Sequence, residues 1–195
     1  MFTGIVTDLG SVRKVQKNGD TRFEFATSYD MDTVDIGASI ACSGTCLTVT
    51  EKGEGWFAVM ASEETLSVTI VGDWTEGSTV NFERPLRAAD ELGGHLVSGH
   101  VDGVGQIRNI EPEGDSHRYT FSAPDDLMKF IAPKGSVAVN GVSLTVNEVE
   151  NKTFGINIIQ HTQKVTTFGS AEVGNRVNLE IDLLARYVAR ILEKE

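Results

Sequence analysis

The fold of this chain is decided by two related stretches, SIACSGTCLTVTE at residues 39–51 and SVAVNGVSLTVNE at residues 136–148. Seven of the thirteen aligned positions carry the same residue, at a spacing of 97 residues along the chain. A match of this density between distant stretches is typical of an internal duplication, in which one structural unit occurs twice.

Further identities extend the repeat in both directions. At the same spacing of 97, eight more residues of the first copy recur in the second, namely Thr65, Val68, Thr69, Gly72, Gly77, Val80, Asn81 and Glu83. Near the start of each copy, Gly4, Val6 and Gly10 match Gly99, Val101 and Gly105 at a spacing of 95. The copies join at residues 84–94, RPLRAADELGG, which interrupt the strand pattern.

Both copies are predicted to be all-β. Ile36 to Thr50 and Val137 to Val149 are rich in Val, Ile, Thr and Leu, with glycine-containing turns between them. Asn140-Gly141 is a strong hairpin signal, since both residues tolerate positive φ, and Ser43-Gly44 occupies the matching place. We therefore predict two tandem six-stranded Greek-key β-barrels related by duplication.

The C-terminal tail follows a different pattern. Its apolar residues fall at positions 184, 187, 188, 191 and 192, which is helical spacing in strong helix formers. A single short helix has to bury its apolar stripe elsewhere, either as a cap on a barrel or against copies of itself. The predicted units are an N-terminal barrel at residues 1–95, a C-terminal barrel at 96–182 and a terminal helix at 183–195.

Composition excludes several classes of protein. The chain of 195 residues carries 17 Lys and Arg against 28 Asp and Glu, a formal net charge of −11, and it has no basic run for binding nucleic acid. No stretch reaches the roughly 18 apolar residues of a membrane span. The N-terminus lacks the features of a signal peptide, and Cys42 and Cys46 are too few for a secreted disulfide framework. We expect a cytoplasmic protein without a metal site.

Polar residues form a short ladder on one strand of each copy. Because successive side chains of a strand point to opposite faces, Ser143 and Thr145 are predicted to face outward while their neighbours fill the core. Cys46 and Thr48 occupy the same places in the first copy. Such a ladder suits hydrogen bonding to a flat heterocycle, although simple exposure to solvent is the more common explanation when the pattern is taken alone.

The two copies differ in residues that could perform chemistry. His100 stands where the first copy has Ile5, and Ser143 stands where it has Cys46. Lys134 and Asp182 also lack charged equivalents in the first copy. The differences indicate two unlike sites. His95 and His100 lie five positions apart, on opposite faces if the segment is a strand, so a shared metal is not expected. Common nucleotide-binding, zinc-protease and serine-hydrolase motifs are absent from the sequence.

Four segments together closely resemble the riboflavin synthase family of the α-chain type. They are MFTGIV at residues 1–6, GTCLTV at 44–49, GGHLVSGH at 93–100 and GVSLTV at 141–146. The resemblance spans essentially the whole chain. It implies two lumazine-binding barrels, a homotrimer held by the C-terminal helices, and active sites between subunits. Each site would bind two molecules of 6,7-dimethyl-8-ribityllumazine and transfer four carbons between them, with no cofactor or metal.

The resemblance also implies the site residues. It places one pocket at the first barrel and lines it with Phe2, Gly4, Ile5, Val6, Ser39, Cys46, Leu47, Thr48, and a strand of Met60, Ala61, Ser62, Glu63, Glu64 and Thr65. It lines the other pocket, at the second barrel, with Gly99, His100, Val101, Lys134, Ser143, Leu144, Thr145, Ile159, Gln160, His161, Thr162, Gln163, Lys164 and Asp182.

Roles follow as hypotheses. His100 would move protons, Ser143 with Asp182 would activate or orient the attacking group, and Cys46 and Lys134 would assist by polarisation. An association with lumazine synthase is a further expectation from the family.

The main alternative is a non-catalytic relative, a monomeric fluorescent antenna protein that carries a lumazine and lacks the residues of one site. An oligonucleotide-binding barrel would need a basic groove with stacking aromatics, against which the acidic charge argues. The chain departs from the family pattern at Thr45, where some relatives have a second cysteine, and at His161, where others have an acidic residue.

Overall fold

A computed structural model of the protein describes residues 1–193. Its first half is a closed antiparallel barrel in the order β1-β2-β5-β4-β3-β6. Three consecutive strands, β3, β4 and β5, are joined by hairpins, and β6 returns beside β3, which is a Greek key. The strands are β1 Asp8–Asn18, β2 Asp20–Ala26, β3 Ser39–Cys42, β4 Thr45–Gly53, β5 Trp56–Ala61 and β6 Thr79–Glu83.

The second half repeats this topology with six further strands, in the order β7-β8-β11-β10-β9-β12 and closed by pairing of β12 with β7. The strands are β7 Gly103–Glu113, β8 Ser116–Ser122, β9 Ser136–Val139, β10 Val142–Glu150, β11 Thr153–Ile158 and β12 Arg176–Ile181. The helices are α1 Glu63–Val68, α2 Asp125–Met128, α3 Gln160–Val165 and α4 Leu183–Leu192. The predicted fold class is confirmed.

The hairpin turns agree with the prediction from sequence. Ser43 and Gly44 have φ of 43° and 84°, and Asn140 and Gly141 have φ of 49° and 77°. The predicted strand beginning at Ile36 is wrong over its first residues, because Gly37 at φ 89° turns the chain and β3 starts only at Ser39.

Each barrel has its own aromatic core. Phe82 packs edge to face against Phe25 and Phe57 in the first barrel, and Phe121 stacks on Phe154 in the second. Between the barrels the two repeat hairpins meet, and a Cβ on Gly44 would lie 2.8 Å from the backbone nitrogen of Gly141.

Two equivalent asparagines link the barrels reciprocally. The Asn81 side chain donates to the Asn140 carbonyl at 3.0 Å and accepts from the Thr167 N–H at 2.8 Å. The Asn178 side chain donates to the Ser43 carbonyl and accepts from the Ile70 N–H, both at 2.8 Å. Since buried amides are costly to leave unpaired, these four bonds fix how the barrels face each other.

Helix α4 contacts the second barrel through its polar side. Arg186 pairs with Asp102, and Lys129 pairs with Glu193 at 3.2 Å. The opposite, apolar side is uncovered in the single chain, with Leu184, Tyr187 and Ile191 each more than 60% exposed. The helix therefore does not cap a barrel with its apolar stripe. The last two residues of the predicted unit, 194–195, lie outside the described residues. No helix within residues 1–193 is long and apolar enough to cross a bilayer.

Candidate functional site: two pockets completed by exchanged segments

The polar ladders lie on the outer faces of β4 and β10, as predicted. Thr48 and Thr145 are exposed, while Cys46 and Ser143 are half-buried. Ser39 lies opposite Thr48 in the pairing of β3 with β4, which adds a third polar side chain to that face. The leucines between the polar residues, Leu47 and Leu144, point into the barrel cores, so that only their backbone groups are available to a ligand.

Each ladder is bordered by a segment from the other copy. The Ser143 N–H, on the second barrel, donates to the Gly4 carbonyl at 2.8 Å. The Cys46 N–H, on the first barrel, donates to the Gly99 carbonyl at the same distance. Val6, which follows Gly4, packs against the core of the second barrel. The two leading segments are thus exchanged between the barrels.

This exchange corrects the predicted grouping. The family resemblance implied that Gly4, Ile5 and Val6 line the pocket of the first barrel, and that Gly99, His100 and Val101 line that of the second. In the structure Gly4 and Val6 contact the second barrel and Gly99 contacts the first, because each segment crosses to the neighbouring barrel before its own first strand begins. We name the two sites by their ladders, as the Cys46 pocket and the Ser143 pocket.

A short antiparallel bridge holds the crossing segments together. Phe2 N–H donates to the Val97 carbonyl at 2.7 Å, and Val97 N–H donates to the Phe2 carbonyl at 3.0 Å. Both side chains are fully buried against Ala41 and Ala138, between the barrels. Phe2 can therefore act on a ligand only through its neighbours. Apart from this bridge, residues 93–102 form no strand, so the face argument for His95 and His100 does not apply.

His95 contacts the Ser143 side chain. Its Nδ1 lies 2.7 Å from Ser143 Oγ, and its Nε2 is buried with no hydrogen-bond partner within residues 1–193. Burial lowers the pKa of His95, while the charge of Asp182 acts in the opposite direction. A neutral imidazole beside a hydroxyl can accept its proton, which is the arrangement of an activated nucleophile. His95 was left out of the predicted catalytic set, because a contact across 48 residues leaves no local sequence pattern.

Asp182 lies at the junction of β12 and α4. Its side chain accepts from the Leu184 N–H at 2.9 Å and so caps the helix. Its negative charge raises the pKa of His95, against the effect of burial. Asp182 therefore both caps α4 and acts electrostatically on His95.

His100 and Lys134 lie at exposed positions. His100 follows Gly99, whose carbonyl accepts from the Cys46 N–H, and the His100 N–H donates to Ser98 Oγ at 3.2 Å. Lys134 has a left-handed backbone with φ of 67°, and its N–H donates to the Val146 carbonyl at 2.8 Å. The backbone bond holds Lys134 beside the middle of β10, the strand that carries Ser143 and Thr145.

The predicted strand from Met60 to Thr65 is wrong beyond Ala61. β5 ends there, and Ser62 Oγ accepts from the Thr65 N–H at 3.2 Å to cap α1. The second copy repeats the strand-to-helix change, with α3 over Gln160–Val165. Met60 and Ile159, the last outward apolar residues before each helix, are exposed. The helices of six residues are too short to show helical periodicity in the sequence.

Comparisons with known proteins agree with this duplicated architecture. The model of the lumazine binding domain matches the chain twice, at residues 3–85 and 98–182. The riboflavin synthase of Brucella abortus (strain 2308) is 50% identical, covering 99% of this chain and 98% of its own. The riboflavin synthase of Bacillus subtilis (strain 168) is 38% identical, covering 100% of this chain and 91% of its own.

Solved structures show the same fold with ligands bound. LumP complexed with riboflavin aligns with a TM-score of 0.86 at 26% identity, covering 93% of this chain and 99% of LumP. LumP complexed with 6,7-dimethyl-8-(1'-D-ribityl) lumazine aligns with a TM-score of 0.84 at the same identity and coverage. Both the duplicated domain match and the full-length relatives lead to one assignment: the chain belongs to the riboflavin synthase family, which are transferases built from two lumazine-binding domains.

Proposed function

We propose that this enzyme converts two molecules of 6,7-dimethyl-8-ribityllumazine into riboflavin and 5-amino-6-ribitylamino-pyrimidinedione, the last step of riboflavin biosynthesis, without cofactor or metal. One molecule gives up four carbons and the other receives them. The observation that carries the proposal is the pair of related but unlike pockets, one with Cys46 and His100 and the other with Ser143 and His95. Two unlike pockets suit a reaction in which identical molecules have different fates.

The Ser143 pocket supplies the attacking group. His95 accepts the proton of Ser143 Oγ across their 2.7 Å contact, so that the hydroxyl, or a water held in its place, adds at C7 of the bound lumazine. The charge of Asp182 stabilises the imidazolium that results, in keeping with its upward effect on the pKa of His95. The Ser143 N–H is already bonded to Gly4, which holds the reacting residue in place.

The Cys46 pocket supplies the proton transfer. A base must remove a proton from the acidic C7 methyl group of a lumazine, and His100 is exposed on the segment that borders this pocket. Cys46, Thr48 and Ser39 offer hydrogen bonds to the polar edge of the ring from the barrel face. Lys134 and Thr145 do the same in the Ser143 pocket and stabilise negative charge on the ring.

Stacking accounts for much of the expected rate. Two flat rings held in register convert a bimolecular reaction into an intramolecular one, which is worth up to about 7–11 kcal/mol of barrier. In the proposed homotrimer, the Cys46 pocket of one subunit faces the Ser143 pocket of its neighbour. The exposed apolar side of α4 supports such an assembly, since neighbouring apolar side chains exposed on one face are typical of a protein–protein contact.

Three further proposals concern organisation. We assign residues 1–95 and 96–182 to the two lumazine-binding units and residues 183–195 to the assembly helix. We place the protein in the cytoplasm, whose reducing conditions fit the free thiols of Cys42 and Cys46. The third proposal is an association with lumazine synthase, which co-sedimentation of the two purified proteins tests.

One assay tests the reaction. Purified protein is mixed with 6,7-dimethyl-8-ribityllumazine alone, and riboflavin is followed by its absorbance and by chromatography. We expect one riboflavin for every two lumazines consumed, and loss of the product after heat inactivation of the protein. Binding of lumazine with no conversion would refute the proposal and favour the alternative of a non-catalytic lumazine-carrying protein, since LumP of the same fold is complexed with 6,7-dimethyl-8-(1'-D-ribityl) lumazine.

A further inference from the structure

Two buried carboxylates occupy equivalent positions in the barrels and take no part in the chemistry proposed above. Glu83 ends β6 and Glu180 lies in β12, 97 residues later. They are 6% and 2% exposed. A buried carboxylate is costly unless its oxygens are fully hydrogen-bonded, so the partners of these two groups indicate what they do.

Each carboxylate binds the segment that precedes the first strand of one of the two barrels. Glu83 Oε1 accepts from the N–H and the hydroxyl of Thr3 at 2.6 and 2.9 Å, and Oε2 accepts from the Gly4 N–H at 2.9 Å. Glu180 repeats the pattern with the N–H and hydroxyl of Ser98 at 2.6 and 2.7 Å, and with the Gly99 N–H at 2.9 Å. Each glutamate thus holds two successive residues by three bonds.

The segment that each glutamate holds borders the pocket of the opposite barrel. Gly4 accepts from the Ser143 N–H, and Gly99 accepts from the Cys46 N–H. We propose that Glu83 and Glu180 are positioning residues that act across the barrels: Glu83, on the first barrel, sets the wall of the Ser143 pocket, and Glu180, on the second, sets the wall of the Cys46 pocket. This inference rests on the proposed function for its catalytic consequence.

The chemistry requires a carboxylate at both places. Three donors converge on each group, and only a carboxylate accepts all of them without presenting a donor of its own. Glutamine has the same shape, but its amide NH₂ would face one of the segment donors. Burial raises the pKa of both carboxyl groups, while the segment N–H groups act in the opposite direction.

The walls have little room to move. A Cβ on Gly4 would lie 2.5 Å from the Cβ of Ser143, and one on Gly99 would lie 2.6 Å from the Cβ of Cys46. Segment and barrel therefore touch through backbone atoms on both sides. A carboxylate that fixes the segment on one side consequently fixes the ladder residue on the other.

The test uses one reactive thiol in each pocket. Cys46 reports on its own pocket, since Cys42 is fully buried in the core. The double variant Cys46→Ser/Ser143→Cys moves the thiol to the equivalent place in the Ser143 pocket. Glu83→Gln and Glu180→Gln are then made in both backgrounds, and the rate of alkylation by iodoacetamide is measured on the full chain.

We expect each of the two isosteric changes to affect a different thiol. Glu180→Gln should speed alkylation of Cys46 about ten-fold, as loss of one charge-assisted hydrogen bond allows, and leave the thiol introduced by Ser143→Cys unchanged. Glu83→Gln should do the reverse. Each variant is the matched control of the other. The proposal would be overturned if each variant affected both thiols equally, if it affected only the thiol on the barrel of the changed glutamate, or if it affected neither thiol.

Turnover gives the second readout. Both pockets are needed, so both variants in the otherwise native chain should lower kcat at least ten-fold at temperatures well below unfolding. If a glutamine variant does not fold, Glu83→Asp and Glu180→Asp keep the charge and withdraw it by one methylene, and the same crossed pattern of alkylation is expected. A native chain that forms no riboflavin would refute the proposed function, while the alkylation pattern, which needs no turnover, would still decide the positioning role.

Discussion

Replacing Gly4 by alanine should damage both stability and turnover, and Gly19 provides a matched control. The two glycines have nearly the same backbone, with φ of 76° and 77°. A non-glycine residue in this left-handed region costs about 1–2 kcal/mol, and both variants bear that cost. Around Gly19 nothing lies within 4 Å of a new Cβ, whereas at Gly4 the new atom would lie 2.5 Å from Ser143 Cβ and 2.7 Å from Ser143 N.

The extra cost at Gly4 comes from moving Ser143 or the segment. Overpacking of this kind costs about 1–3 kcal/mol, so Gly4→Ala should lose about 2–5 kcal/mol of unfolding free energy and Gly19→Ala only about 1–2. A shift of about 1 Å at Ser143 would also disturb its contact with His95 and lower turnover by about a hundred-fold. Urea unfolding and steady-state riboflavin formation measure the two effects. If Gly4→Ala were as stable and as active as Gly19→Ala, the close approach of Gly4 to Ser143 would be wrong.

Three more predictions follow from the described contacts. Burial lowers the pKa of His95 below its unfolded value of about 6.5, so the contribution of this group to the free energy of unfolding is present above that pH and is lost as the pH falls through the lower folded value. In urea titrations from pH 7.5 to 4.5, His95→Asn should therefore lose less stability than the native protein. Equal losses in the two proteins would contradict this prediction. His100→Gln should lower kcat at least ten-fold with ligand binding and assembly intact; unchanged turnover in the riboflavin assay would remove His100 from the mechanism. Ile191→Asp, at an exposed apolar position of α4, should give monomers in sedimentation with native circular dichroism, and an unchanged trimer would show that α4 is not the assembly surface.

The sequence was sufficient for the parts of the fold that depend on local pattern. The repeat of residues 39–51 predicted two equal barrels, and the turn residues Asn140-Gly141 predicted the hairpin with its positive φ values. Strand alternation placed Ser143 and Thr145 on the outer face because period two is a property of neighbouring residues. The turn and the strand alternation use only a few consecutive positions, and the repeat needs only a comparison of two short stretches of the sequence.

Contacts between distant segments were beyond this reasoning. The exchange of Gly4 and Gly99 between barrels depends on a bridge from Phe2 to Val97, which joins residues 95 apart and leaves no periodic signal. The contact of His95 with Ser143 has the same character. The family resemblance supplied the identity of the pocket residues, but sequence order misled the grouping, since residues next to a barrel in the chain are not next to it in space.

The reciprocal bonds of Asn81 and Asn178 have a consequence for how the two halves of the gene can change. Asn81 and Asn178 fasten the two halves to each other by mirrored bonds, so an alteration of either one loosens the contact between both halves. The ladder and segment side chains lie outside these mirrored bonds, and there the halves differ, with the thiol of Cys46 against the hydroxyl of Ser143 and Ile5 against His100. The duplicated barrel fold is thus retained in both halves, while the residues at the two pockets differ.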